Sequence, residues 1–432
     1  MQFNFRADAF DESKLPKENR WGKFPSVSAG WTLSNESFIK DNISTDLMSF
    51  LKIRASWGRN GNINVLRDYP YTTTIAYNQK WYQYSIADNE APQVYGSMPS
   101  RVANPDLKWE TSEQIDLGLD ARFLNNRLTV GIDWYKKTTK DLLVDVAPQS
   151  GVGVSSITKN AGEIMNKGLE IELGWKEKIG DLNYSVNGNI STLKNEVTYL
   201  DPNVGGRILH GSYYVNQIRN AFEEGHPIWY FYGWKFDKVN PEDGSYSLVD
   251  LNEDGQITDA DRTNIGQGMP KYTYGLTINL EYKGFDFTVF GNGVGGNSIF
   301  PVLFRTDRPE NNTLEYYHKN AWTEDNKSGS IPSLGKCSTD TKYWASDANI
   351  FKGDYFKFKQ IQLGYTLPAD LTKKVAVQNA RVFVSLDDFF TITKYPGMDP
   401  ETATTTNADQ MGIDLGSYPV SKKFIFGVSL TF

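Results

Sequence analysis

The chain has 432 residues, of which 39% are hydrophobic, 14% aromatic and 22% charged. With 45 basic and 52 acidic residues its net charge is -7, which excludes a phosphate-tracking surface and with it nucleic acid as a partner. The single cysteine, Cys337, cannot form an intramolecular disulfide or a zinc knuckle, the three histidines (His210, His226, His318) lack ligand spacing, and no run of about 18 apolar residues offers a membrane-spanning helix.

A mean hydropathy of -0.50 does not exclude a transmembrane barrel, whose alternating strands escape hydropathy averages. The opening residues Met1-Gln2-Phe3-Asn4-Phe5-Arg6 alternate like a strand and carry no secretory signal. They predict either a cytosolic start or a longer protein whose front portion is absent. Further strands are predicted over 24–33 and 49–58. Apolar residues then recur with period two at Ile115, Leu117, Leu119, Ala121, Phe123, at Leu128, Val130, Ile132, Trp134, at Leu169, Ile171, Leu173, Trp175, and at Tyr184, Val186, Gly188, Ile190. This period belongs to half-buried strands and not to helices.

The 195–271 connection is very long and holds two candidate sites. Asp250-Leu251-Asn252-Glu253-Asp254-Gly255-Gln256-Ile257-Thr258-Asp259-Ala260-Asp261 follows the calcium-loop pattern D-x-[DN]-x-[DN]-G with an acidic residue at position 12. Oxygens of Asp250, Asn252, Asp254 and Asp261, the Gln256 carbonyl and Thr258, directly or through water, would converge on Ca2+. Gly255 permits the turn and Ile257 anchors the loop. The alternative is a solvated acidic turn without an ion. Upstream, the aromatic run Trp229-Tyr230-Phe231-Tyr232-Gly233-Trp234 offers Trp229, Tyr230, Tyr232 and Trp234 as stacking faces for a sugar; the alternative is that these rings pack the loop on itself or against a partner.

Strands resume at Leu276, Ile278, Leu280, Tyr282 and at Phe285, Phe287, Val289. The glycine-rich stretch Gly291-Asn292-Gly293-Val294-Gly295-Gly296 follows a strand without opening a helix, so it is no phosphate cradle, and reads as backbone flexibility at a loop entrance. Parity slips near Lys359-Gln360, between Phe356, Phe358 and Ile361, Leu363, Tyr365, which predicts a β-bulge. Residues 369–374 look helical, and the chain ends on the alternating strand Phe424, Phe426, Val428, Leu430, Phe432.

About twelve strands result, many near the ten residues needed to cross a bilayer at a tilt. Their connections alternate. Leu124-Asn125-Asn126, Ile179-Gly180-Asp181 and Lys283-Gly284 are tight and 368–379 is compact, whereas 138–166, 195–271, 294–354 and 389–421 are long. Outer-membrane barrels combine short periplasmic turns with long external loops in this way, and parity places the terminal Phe432 on the short-turn side. The expected fold is an all-β, antiparallel up-and-down transmembrane barrel portion spanning 1–432. No G-x-S-x-G, G-x-x-x-x-G-K-[ST] or H-E-x-x-H occurs, so no enzyme is expected.

In combination, several motifs resemble the C-terminal part of the SusC/RagA-type TonB-linked outer-membrane transporters. The carriers are Phe5-Arg6-Ala7-Asp8, Glu18-Asn19-Arg20-Trp21-Gly22, Phe24-Pro25-Ser26-Val27-Ser28-Ala29-Gly30-Trp31, Leu51-Lys52-Ile53-Arg54-Ala55-Ser56-Trp57-Gly58 and Asn104-Pro105-Asp106-Leu107-Lys108-Trp109-Glu110. To these add Asn160-Ala161-Gly162-Glu163, Asn166-Lys167-Gly168-Leu169-Glu170, the 249–255 segment and Phe390-Thr391-Ile392-Thr393-Lys394-Tyr395. The resemblance implies import of an oligosaccharide or peptide across the outer membrane with a SusD-like surface lipoprotein, calcium at a similar external loop, contact with outer-membrane lipid, and energy from the TonB complex through an N-terminal plug that this chain does not contain. Twelve strands would make about half of such a wall, part of a fragment or a split protein, with closure into a smaller barrel as the alternative. A soluble or surface-anchored glycan-binding β-protein is the competing reading.

Overall fold

The structure, a computed structural model, describes residues 1–64, 66, 69–77, 83–84, 94–95, 97–146, 154, 157–211, 218–302, 314–372, 374, 377–402 and 407–432. Twelve strands form one continuous antiparallel wall: β1 (Gln2–Asp11), β2 (Trp21–Thr32), β3 (Met48–Asn62), β4 (Glu110–Phe123), β5 (Leu128–Val146), β6 (Ile157–Ile179), β7 (Leu182–Thr192), β8 (Tyr272–Tyr282), β9 (Phe285–Gly295), β10 (Tyr355–Thr366), β11 (Asn379–Thr393) and β12 (Lys423–Thr431). Each pairs with its neighbours in chain order. Among the described residues the wall is open: β1 is bonded only to β2, and β12 only to β11. Two such edges leave rows of unpaired backbone groups, which hydrocarbon does not tolerate, so the described strands do not by themselves make a closed barrel.

Period-two sequence makes the two faces different. Ile53, Leu117, Trp134, Leu173, Leu276, Leu363, Phe426 and Val428 are exposed although apolar, because they share the sheet face that no other described element covers. The opposite face is wet and charged. There Arg54 Nε sits 2.9 Å from Asp120 and its guanidinium reaches Asp133 at 2.7 Å. Gly118 is paired with both Arg54 and Asp133, and a Cβ there would fall 2.6 Å from the guanidinium carbon, so its missing side chain leaves the gap that Arg54 crosses.

The connections sort by end as the alternation predicts. Leu124–Arg127, Gly180–Asp181, Lys283–Gly284 and residues 367–372 and 377–378 lie at the short-turn end, where the Leu124 N–H bonds Leu47 of the β2–β3 connection. Residues 369–372 form the expected helical turn there, while Lys373 lies outside the described residues. Thr431 pairs with Asn379, so Phe432 is at this end. The bulge falls at Lys359: against β9, Gly291 pairs with Phe358 but Phe290 with Gln360, and β11 answers with an extra residue of its own, Phe358 pairing with Phe390 but Gln360 with Asp387.

Two expectations change. The 138–166 connection is not a long loop: β5 and β6 are 19 and 23 residues long and carry the hairpin well past the other strands. Register shifts around Gly162 and a positive φ at Asp141 break the period, which hid these strands. The Gly291–Gly295 stretch is not flexible loop entrance either but the end of β9. On its outer side Tyr272, Tyr274 and Phe356 lie over the three alternate glycines, each within 2.6 Å of where a Cβ would stand. Aromatic rings covering strand glycines in this way stiffen a sheet.

Candidate functional site

Loops at the long-loop end fold together. The 193–271 segment begins with Lys194–Leu200, which pairs with the upper half of β6, and then forms a four-stranded sheet of Arg207–His210, Arg219–Glu223, Tyr230–Gly233 and Thr263–Gly266. Ile218 and Phe231 of this segment pack with Phe300 and Val302 of the 296–354 segment and with Ile413 of the 394–422 segment, all at most 2% exposed. A second cluster joins Tyr317, Ile331, Tyr343 and Trp344 to Phe236 and Tyr246. Backbones touch where glycine allows it: a Cβ on Gly233 would stand 2.2 Å from the Ala345 carbonyl, and one on Gly268 2.0 Å from that of Met411. The described parts of three long loops thus make one body with its own apolar cores, a cap over one end of the wall.

Burial of this kind controls the lone thiol. Cys337 is fully buried beside Trp344, and desolvation pushes its pKa up to about 12, with Asp340 adding to the shift. The thiolate is the reactive form, so alkylation at pH 8 should be at least about a thousandfold slower in the folded cap than in the unfolded chain. Mass-spectrometric counting of modified Cys337 checks this; equal rates would mean that the cap is open in solution.

The aromatic run is the cap's interior. Tyr230, Tyr232 and Trp234 are at most 8% exposed and present no face to a sugar; Trp229 is half-buried, edge-on to His210 and tilted against Phe222. The sugar-stacking expectation therefore gives way to the packing one for the three buried rings. Their polar atoms are used internally. The Tyr230 hydroxyl donates to Glu223, which also holds Arg207 at 2.8 Å, and that guanidinium lies 4.1 Å over Tyr232. Burial raises the Glu223 carboxyl, yet Arg207 and Tyr230 outweigh it and hold it below the usual range. These partners carry no sequence signal, since Arg207 and Glu223 are unremarkable polar residues until the two strands pair.

The run also anchors the acidic loop. Trp234 Nε1 donates to the Thr258 carbonyl at 2.8 Å, and Arg262, stacked 3.8 Å over Trp234, pairs with Asp259 at 2.9 Å. Within the loop, Gly255 takes φ 81° and its N–H donates to Asp250 Oδ2 at 2.7 Å. Asp254 N–H donates to Asn252 Oδ1 (3.2 Å) and Gln256 N–H to Asp254 Oδ1 (2.8 Å). Asp250 Oδ1 is buried without a hydrogen-bond partner. Asp261 is fully buried and accepts from the amides of Leu251 (2.9 Å), Asn252 (3.4 Å) and Thr258 (2.8 Å). The Thr258 amide chiefly, then those of Leu251 and Asn252, holds its carboxyl below the usual range against the opposing effect of burial. Asp261 thus closes the loop's neck, with Thr258, as a reciprocal cap on the short helical turn 259–261. Among the described residues no three His, Cys, Asp or Glu side chains are grouped as metal ligands.

The motif residues at the other loops are structural. Leu107 is fully buried with Leu15, Leu66 and Leu143; Trp109 donates to the Arg20 carbonyl at 3.0 Å and stands edge-on to Phe24; Asn160 donates to the Lys108 and Asp141 carbonyls. They tie the 12–20 and 63–109 connections to the tops of β5 and β6.

Comparison with known proteins agrees with this architecture. The family described as TonB dependent receptor-like, beta-barrel matches residues 2–379. TonB-dependent receptor P3 of Formosa agariphila is 30% identical over the whole chain, and TonB-dependent receptor SusC of Bacteroides thetaiotaomicron is likewise 30% identical; the chain covers 44% and 42% of their lengths. Among solved structures, the RagAB peptide transporter superposes over the whole chain with a TM-score of 0.81 at 25% identity, the match covering 45% of that protein. The chain thus spans somewhat less than half of these relatives.

Proposed function

We propose, from the premise that this chain belongs to the TonB dependent receptor-like β-barrel family, that its full-length protein imports an oligosaccharide or peptide through the outer membrane. Membership makes it an outer-membrane protein and not an enzyme. An apolar outer face, a charged inner face and a folded cap above them carry the reading: the wall separates lipid from a polar lumen, and the cap lies where cargo enters. The soluble glycan-binding alternative loses its ground on the same observation, since Phe424, Phe426, Val428 and Leu430, each half or more exposed, would associate in plain water. Energy would come from the TonB complex acting through a plug, and a SusD-like surface lipoprotein would seat on the cap. Likeness to a peptide transporter supports a peptide as cargo. Deleting the gene should abolish growth on one class of oligosaccharide or peptide, and the tagged protein should retain a surface lipoprotein on purification. Unchanged growth on every such source would overturn the reading.

The acidic loop is read as a calcium site in the cap. Asp250, Asn252 and Asp254 supply side-chain oxygens, with the Gln256 carbonyl, Thr258 and Asp261 completing the set; the unpartnered, buried Asp250 Oδ1 is the observation that fits an ion. With the shorter Asp261 where such loops usually carry a bidentate Glu, the affinity should fall in the weak extracellular class, about 10⁻⁴–10⁻³ M. Millimolar calcium should raise the cap's melting temperature in the parent, and Asp250→Ala should remove that rise. A parent that melts identically with calcium and with chelator excludes the ion.

A further inference from the structure

Two lysines on β10 reach one target. Lys359 is the extra residue against β9, where Gly291 pairs with Phe358 and Phe290 with Gln360, and it reaches Asp388, at φ 54° on β11; two residues apart on one strand, Lys357 and Lys359 share a face and reach the same carboxylate. The Lys357 ammonium, 2% exposed, lies 2.7 Å from Asp399 Oδ2 and 2.7 Å from Glu401; Lys359 lies 2.6 Å from Glu401 and 3.0 Å from Asp388. Asp399 and Glu401 belong to the 394–422 segment. Asp399 also accepts the Val420 N–H at 3.2 Å, so one carboxylate gathers both ends of that segment onto the wall.

Between these ends the segment is built into the cap. Tyr395 donates to Asp414 at 2.5 Å, and Ile413 and Asp414 pair in parallel with Phe300 and Pro301. The Phe300 N–H bonds the Gly412 carbonyl and the Val302 N–H that of Asp414, both at 2.8 Å, and Ile413 sits in the core shared by the three loops. Different forces therefore act at the two attachments: apolar packing and backbone bonds hold the segment to the cap, while side-chain charge dominates its hold on the wall. A buried ion pair is costly to halve, because the surviving charge stays desolvated, yet it contributes little as folding energy. Such a joint can open without dismantling either body it connects.

We propose that residues 394–402 and 407–422 form a strap that fixes the position of the loop cap on the barrel wall, with Lys357 and Lys359 as its electrostatic latch. The inference gives the cap of the transport reading a defined pivot, and in that sense rests on it. Lys357 and Lys359 are positioning residues; neither needs to touch cargo.

Spin labels at Leu251→Cys on the cap and Lys178→Cys on β6 report the cap-to-wall distance, and the buried Cys337 stays unlabelled. Lys357→Met should broaden that distance distribution, at least about tenfold more of the population lying outside the parent's range, while the wall's melting temperature and Cys337 protection stay at parental values. Lys357→Arg, which keeps the charge, should restore the narrow distribution. An unchanged distribution in Lys357→Met would mean that apolar packing alone sets the cap's position, and loss of the wall or of Cys337 protection together with the distance would make the cluster a folding element; either result overturns the latch. The measurement uses no cargo, so its failure leaves the transport reading standing.

Discussion

Trp344→Ala should unfold the cap and leave the wall assembled. Trp344 is 2% exposed, edge-on to Tyr343 at 4.9 Å and to Tyr317 at 5.6 Å, and its Nε1 donates to the Cys337 carbonyl at 3.1 Å. Removing a buried tryptophan costs about 3–5 kcal/mol, and the orphaned carbonyl adds about 1–3 kcal/mol. That total is comparable to the whole stability of a small domain, about 5–15 kcal/mol. The wall does not share the loss, since its strands are held by ladder bonds within the sheet. Expected is rapid alkylation of Cys337 with the far-ultraviolet β signal retained. A protected Cys337 would show that the cap tolerates the cavity, and simultaneous loss of the β signal would show that cap and wall fold as one.

The second large effect is expected in the wall itself, from Gly293→Val. A Cβ at Gly293 would stand 2.3 Å from the Tyr355 carbonyl oxygen and 2.6 Å from the Tyr274 ring. Tyr274 cannot simply swing away: it stacks on Phe356 at 5.8 Å and its hydroxyl donates to that same carbonyl at 3.2 Å. The β9–β10 ladder, in which Gly293 pairs with Phe356, must open, and backbone groups freed in hydrocarbon cost several kcal/mol each. A loss of at least about 3 kcal/mol follows, visible as disappearance of the compact folded band on unheated gels. Gly188→Ala is the control, because the nearest atom to its Cβ is 3.8 Å away. Equal behaviour of the two variants would mean that the glycine slots are not tight.

How much of this was legible depends on whether a feature is written in local period or in distant contact. The wall was legible: Leu169, Ile171, Leu173 and Trp175 face one way because successive side chains on a strand alternate. The Lys359 bulge was legible for the same reason, as a break in that period. The upper parts of β5 and β6 were not, since bulges near Gly162 scramble the pattern that would reveal them. Glycines 291, 293 and 295 were visible as glycines, but their purpose lies in rings contributed by β8 and β10. The acidic loop's turn chemistry was readable from Asp250 to Gly255, whereas the use of Asp261 as a cap on three amides was not.

By itself, then, the sequence determined an antiparallel wall of about twelve strands with one apolar face, long connections at one end and Phe432 at the other, because strand periodicity and turn length are local properties. Only the tertiary structure decided that the long connections are a folded cap, that Tyr230, Tyr232 and Trp234 are its interior, and that Lys357 and Lys359 hold Asp399 and Glu401. Those outcomes depend on which of many aromatic and charged residues meet across tens of residues of chain, and composition and spacing leave that choice open.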